Sequence, residues 1–196
     1  MAGRERAILA AALEEFLARG YGGASLSRIV ARAGISKTTL YRRYPDKAAL
    51  FRAVLDRQMA RSRPAAPLAA SGGAPLRLEE GLVRYADAML AFALREEVRG
   101  VERLLCSEAH QFPELAAAAA ARNARGVERI AAFLAQCAAR DGMPCRDPHG
   151  AADQFIALLR GWYLEVLETG RRVTAAERRA WVERAVERFV AGRSAW

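Results

Sequence analysis

Lys37, Thr38, Thr39, Arg42 and Arg43 put three cations and two hydroxyls within seven residues. Leu40 and Tyr44 lie four apart among them, so on a helix those two share an inward face and the polar five point outward. Such a face offers donors to anions and to the edges of bases. The neighbouring residues must hold it in place. Ser36 is a helix cap, and Pro45 stops the helix, because a residue before proline disfavours the α conformation. Upstream, Ser25 can cap a helix in which Leu26, Ile29, Val30 and Ala33 form one apolar face. Gly34 ends that helix where a left-handed backbone is needed, and Ile35 tucks the turn into the core. Two short helices, a glycine turn and a cationic second helix make a helix-turn-helix whose second helix fits a DNA major groove.

Charge placement agrees. The chain of 196 residues carries a formal charge of +9. Residues 1–63 hold 13 Lys/Arg against 5 Asp/Glu, and the remainder is almost neutral. Excess positive charge confined to one third of a chain is the footprint of a nucleic-acid-binding module attached to a neutral one. Both lysines of the chain, Lys37 and Lys47, lie in that third. Apolar residues make up 53% of the chain, enough for a sizeable core, and mean hydropathy is −0.06. No run reaches the roughly 20 apolar residues of a membrane span, and the start has acids within its apolar run, unlike a signal peptide. A cytoplasmic protein without membrane partners is expected. Cys106, Cys137 and Cys145 are too few and odd in number for a disulfide framework, and reduced thiols are expected.

Helical periodicity continues throughout. Residues 4–19 carry Leu9, Leu13 and Phe16, with Gly20 as a stop and Tyr21 as an apolar plug. Asp46 caps a fourth helix to about Arg61, with Leu50, Phe51, Val54 and Leu55 on one face. Residues 62–76 are rich in Pro, Gly, Ala and Ser, and form the best boundary. Beyond it lie helices over about 78–95, 97–110, 113–140 and 147–169, and a last one, opened by a Thr174–Glu177 capping box, whose apolar stripe runs from Trp181 to Val190. Asp141, Gly142 and Pro144 interrupt the pattern. The expectation is an all-α protein of about nine helices. Residues 1–48 would be the helix-turn-helix domain, with a connecting helix over 46–61, and 62–196 a ligand-binding and dimerisation domain.

The strings AILAAALEEFLARGY and SLSRIVARAGISKTTLYRRYPDKAALFRAVL resemble the TetR family of bacterial transcriptional regulators, specifically over residues 6–55. The resemblance implies a homodimer in which a small ligand in the C-terminal half changes the spacing of two DNA heads, so that most members are repressors. Carried onto this chain, it places Lys37, Thr38 and Arg42 at base edges, with Ser27 at another base-reaching position. Lysine and arginine suit guanine O6/N7, and a threonine methyl suits thymine. Ser25, Thr39, Tyr41, Arg43 and Lys47 are placed for phosphate, which fixes register without reading sequence. Thr38 stands where many members have a small residue or proline.

In the second half, the stripes Phe155, Leu159, Trp162, Val166 and Trp181, Ala185, Val186, Phe189 are candidates for a four-helix dimer interface across a two-fold axis. Reading a palindromic operator requires two heads. Candidates for a ligand wall are Met89, Phe92, Leu105, Cys106, His110, Phe133, Cys137 and Trp162, and the scarcity of interior charge suggests a hydrophobic or amphipathic effector. Glu102, Cys106 and His110 recur every fourth residue as part of a metal site, but His149 is the one other histidine, and no metal or cofactor is expected. No phosphate loop, zinc signature or nucleophile–base set points to an enzyme. The expected function is a ligand-responsive DNA-binding regulator, most simply a repressor. The alternatives are an activator of the same family or a helical small-molecule carrier, and the carrier leaves the basic third unexplained.

Overall fold

The computed structural model describes residues 2–61, 68, 75–108, 110–143 and 145–193. Among them are nine helices and no strand: α1 (Ala2–Gly23), α2 (Leu26–Ala33), α3 (Lys37–Tyr41), α4 (Lys47–Arg61), α5 (Leu78–Ala93), α6 (Glu96–Glu108), α7 (Pro113–Asp141), α8 (Pro148–Thr169) and α9 (Ala175–Ala191). The all-α expectation holds. Most of the expected boundary at 62–76, and the Pro144 break, lie outside the described residues.

Most of the predicted helix ends are built as their residues suggest. Gly20 takes φ 66°, which interrupts α1. Gly34 takes φ 63° and its amide turns back to the α2 carbonyls, closing α2. The Ser36 hydroxyl accepts the Thr39 amide at 3.1 Å, and Asp46 Oδ1 accepts the Ala49 amide at 2.7 Å. Asp147 caps α8, and Thr174 and Glu177 form the full capping box of α9. Ser25 departs from expectation: it sits at the N-cap position of α2, but its side chain makes no cap. Its amide instead donates to Glu15. The regular part of α3 ends at Tyr41, although the Arg42, Arg43 and Tyr44 amides still bond to Thr38 and Leu40, so the turn runs on to Pro45.

The chain forms two units. The first gathers Met1–Arg63 with Glu96–Ala119, the second Pro64–Arg95 with Ala120–Trp196. In the first unit, Ile8, Phe16, Ile29, Leu40, Leu50, Phe51 and Leu55 are all but sealed from solvent. Tyr21 packs as the plug its position suggested, 4.9 Å from Phe51 and 5.0 Å from Phe112 between ring centroids. Val101, Leu104, Leu105, Phe112 and Leu115 belong to this same core. The expected two-part division placed residues 96–119 with the ligand-binding half. In that stretch Val101, Leu104, Leu105, Phe112 and Leu115 are buried in the first unit's core, and α6 packs against α1 and α4.

The second unit packs α5 against α8 and α9, around Leu82, Leu90, Ile130, Leu134, Phe155, Leu159 and Val166. Gly81 is required there because any β-carbon would strike the Phe133 ring. Arg178 Nε donates to Asp87 Oδ1 at 2.8 Å and ties α9 to α5. No described helix is long and apolar enough to cross a membrane.

Candidate nucleic-acid interface

The head is fastened by a buried acid that the sequence pattern did not single out. Glu15 on α1 is 3% exposed. Its Oε1 accepts Arg28 Nε at 2.7 Å and the Ser25 amide at 3.1 Å, with Arg28 Nη2 at 2.6 Å. The carboxylate therefore pins the start of α2 to α1. The Arg28 hydrogen bond, then the Ser25 amide and the charges of Arg28 and Arg19, outweigh desolvation and hold the Glu15 carboxyl below its ordinary 4.5. A depressed folded value stabilises above the unfolded one, and that contribution is lost as pH falls through the folded value. Between neutral pH and the region below 4.5, the wild-type chain should therefore lose more stability than Glu15→Gln. Parallel acid limbs in paired urea titrations would remove this role. In sequence, Glu15 was hidden because EEF reads as the polar side of an amphipathic helix.

Acids on α1 also occupy other cations of the head. Arg32 Nη1 pairs with Glu14 at 2.9 Å, and Arg43 Nη1 with Glu5 at 3.4 Å. Arg52 pairs with Glu114. Lys47 was expected to face phosphate, but its Nζ donates to the Gly22 carbonyl at 3.2 Å and the Ala24 carbonyl at 3.3 Å, above the Tyr21 ring. It braces the loop between α1 and α2. The Thr39 hydroxyl is shared with Ser36 at 2.8 Å. Ser27, Lys37, Thr38, Tyr41 and Arg42 remain exposed, Tyr41 by 49%. Among the described residues, the Lys37 and Arg42 side chains have no ion-pair or hydrogen-bond partner. Leu40 and Tyr44 are buried beneath them. The arrangement thus neutralises the flanking arginines and leaves two unpaired cations, a hydroxyl and an aromatic ring on the outer side of α3. That is a surface for polyanion contact and base-edge hydrogen bonding.

Residues 8–54 match the sequence model described as bacterial regulatory proteins, tetR family. Residues 80–192, more than half of the chain, match the AefR-like transcriptional repressor C-terminal domain of the same family. The chain belongs to the TetR family. It is therefore a DNA-binding transcriptional regulator and not an enzyme. The DNA-binding transcriptional repressor TetR of Mycobacteroides abscessus is 45% identical over 53 residues, 27% of this chain and 28% of that protein. The activator FasR of Mycolicibacterium smegmatis is 43% identical over 56 residues, 29% of this chain and 26% of that protein. The matches thus span about a quarter of these curated relatives. A TetR-family regulator from Mesorhizobium loti has a crystal structure that aligns with TM-score 0.80 and 28% identity, over 97% of this chain and 96% of that one.

In this TetR-family chain the eight ligand-wall candidates do not share one unit. Leu105 is buried in the first unit's core, where Cys106 and His110 are exposed. Phe133, Cys137 and Trp162 are buried in the second, with Met89 and Phe92 half-buried. The open groove between α5 and α9, about 330 Å³, is lined by Glu79, Val83, Glu183, Val186, Glu187, Val190, Ala191 and Arg193. Of the wall candidates, none lines it. Burial desolvates the Cys137 thiol and raises its pKa, which suits an inert core thiol. No described group of three His, Cys, Asp or Glu could hold a metal.

Six of the eight dimer candidates are buried within the single chain. Phe155, Leu159, Trp162, Val166, Ala185 and Val186 are at most 7% exposed within a single chain. Phe189 packs tilted against Phe155 at 4.9 Å between ring centroids, and Trp181 stacks on Trp162 at 4.6 Å. These stripes are the α8–α9 intrachain core, because each helix must bury its apolar face on its own neighbours first. The outward side of α8 carries Ala157, Gly161 and Leu158, the last 42% exposed. Expectation also missed interior charge: Arg99 on α6 is 9% exposed. In the string REEVRG it looks like one more solvated cation.

Proposed function

We propose that this chain is a homodimeric repressor of transcription, released from a palindromic operator by a small amphipathic effector. The observation that carries the DNA part is the pair of unpaired cations, Lys37 and Arg42, on a helix whose neighbouring arginines are paired. In this reading Lys37, Thr38 and Arg42 meet base edges, with Ser27 beside them. Tyr41, Ser25 and Thr39 approach phosphates. Arg43 and Lys47 join them with donors left over from Glu5 and from the Gly22 and Ala24 carbonyls.

Repression is favoured over activation by where the likenesses fall. The match to an activator covers 56 residues, 29% of the chain, whereas the match to a repressor domain covers residues 80–192. The test is a salt-titrated gel shift on the DNA upstream of the coding region, joined to a transcription measurement in a deletion strain. Binding that weakens steeply with salt, together with raised transcription on deletion, is expected. Lowered transcription would favour an activator, and absent binding would refute the operator assignment.

For the second copy, the outward face of α8 is the surface in the second unit that fits. Leu158 is exposed, and one turn on, Gly161 has open space where a side chain would stand. An apolar side chain beside a flat residue lets an identical helix approach closely across a two-fold axis. Leu158→Asp should give monomers by light scattering while the chain stays helical. An intact Leu158→Asp dimer would discard this face, and a monomeric wild type would discard the dimer.

A further inference from the structure

Arg99 is the charge in α6 that its surroundings leave unanswered. Its Nε is sealed from solvent, and among the described residues nothing accepts a hydrogen bond from it or pairs with it. Glu96, one turn earlier, pairs with Arg103 at 3.6 Å instead. The contrast with Glu15 is direct, since that buried acid has two cations and an amide around it. A guanidinium cannot shed its proton, and a donor sealed without an acceptor is costly; that cost falls on Nε, the two Nη atoms not being sealed. An acceptor from outside the chain would complete it.

We propose that Arg99 anchors the anionic group of the effector, and that the effector is a monocarboxylate on an apolar body. This rests on the ligand-responsive reading above. The planar fork of arginine matches a carboxylate with two parallel hydrogen bonds. One guanidinium balances one negative charge, whereas a phosphate dianion would keep an unbalanced charge there. The position can also act on the head. Gly100, the next residue, lies so close to α1 that a β-carbon there would stand 2.6 Å from Leu17 Cδ2. A shift of α6 as Arg99 gains its partner therefore presses on α1, the helix that holds α2 through Glu15.

The test uses the full chain with straight-chain and aromatic monocarboxylates, their matched primary amides, and inorganic phosphate, read by calorimetry and by melting. At least one carboxylate should raise Tm and bind about tenfold or more above its amide. Arg99→Met should abolish that preference, and Arg99→Lys, which keeps the charge without the fork, should restore part of it. Because Arg99→Met breaks no internal pair, it should melt no lower than the wild type. Equal binding of acid and amide, no binding by any acid, phosphate binding as well as the best acid, a preference that survives Arg99→Met, or a lower-melting Arg99→Met would each overturn the proposal. Operator release by an amide with no carboxylate preference would keep the ligand-responsive reading and discard the anchor. Carboxylate binding at Arg99 without operator release would do the reverse.

Discussion

Replacing Lys37 with alanine is expected to relax base preference at one position of each half-site, costing about 1–3 kcal/mol against the preferred base. The argument rests on what the other cations are doing. Arg28, Arg32 and Arg43 are held by Glu15, Glu14 and Glu5, and Lys47 by two carbonyls. Lys37 stands at the start of α3, exposed, just after the Ser36 cap that fixes the direction of the helix. A cation held at one register can discriminate among bases, while one that meets only phosphate cannot. The two roles separate by experiment. Loss of a base contact changes the selected motif. Loss of a phosphate contact weakens all sequences alike and lowers the salt slope by about 1. Binding-site selection that returns one motif for both proteins would remove Lys37 from base reading.

Phe155→Ala is expected to destabilise the second unit by about 3–5 kcal/mol, the usual cost of deleting a sealed aromatic ring. Phe155 is 0% exposed and packs against the Phe189 ring. The cavity would open in the second unit's core, to which α5, α8 and α9 all contribute buried side chains. Chemical denaturation should show a lower midpoint at every protein concentration. A purely interfacial role would instead make the loss vanish at high concentration, where mass action restores the dimer. A cost under about 1 kcal/mol would show that Phe155 is not a core residue at all.

These two outcomes bear on what could be read from residue order. Helix existence and several ends were legible because they depend on neighbours in the chain. Gly34, Ser36, Asp46 and the Thr174–Glu177 box act within four residues of themselves. The aromatic stripes of α8 and α9 were legible as apolar faces. Whether their partner was the same chain or a second copy was not, since burial has no signature in periodicity. Ser25 illustrates the same limit at smaller scale. Its type suits a cap, but Glu15, ten residues earlier, competes for its amide.

The sequence alone determined that this is an all-helical chain with a basic helix-turn-helix near its start, because propensity, capping and charge are local or additive properties. Tertiary structure decided which cations remain free to meet DNA, since that depends on acids brought from α1. It likewise decided that α6 packs against α1 and α4 and that Arg99 Nε is sealed without an acceptor among the described residues. Those are facts of juxtaposition: a side chain's charge is written in its codon, but its partner is set by the folding of distant segments onto it.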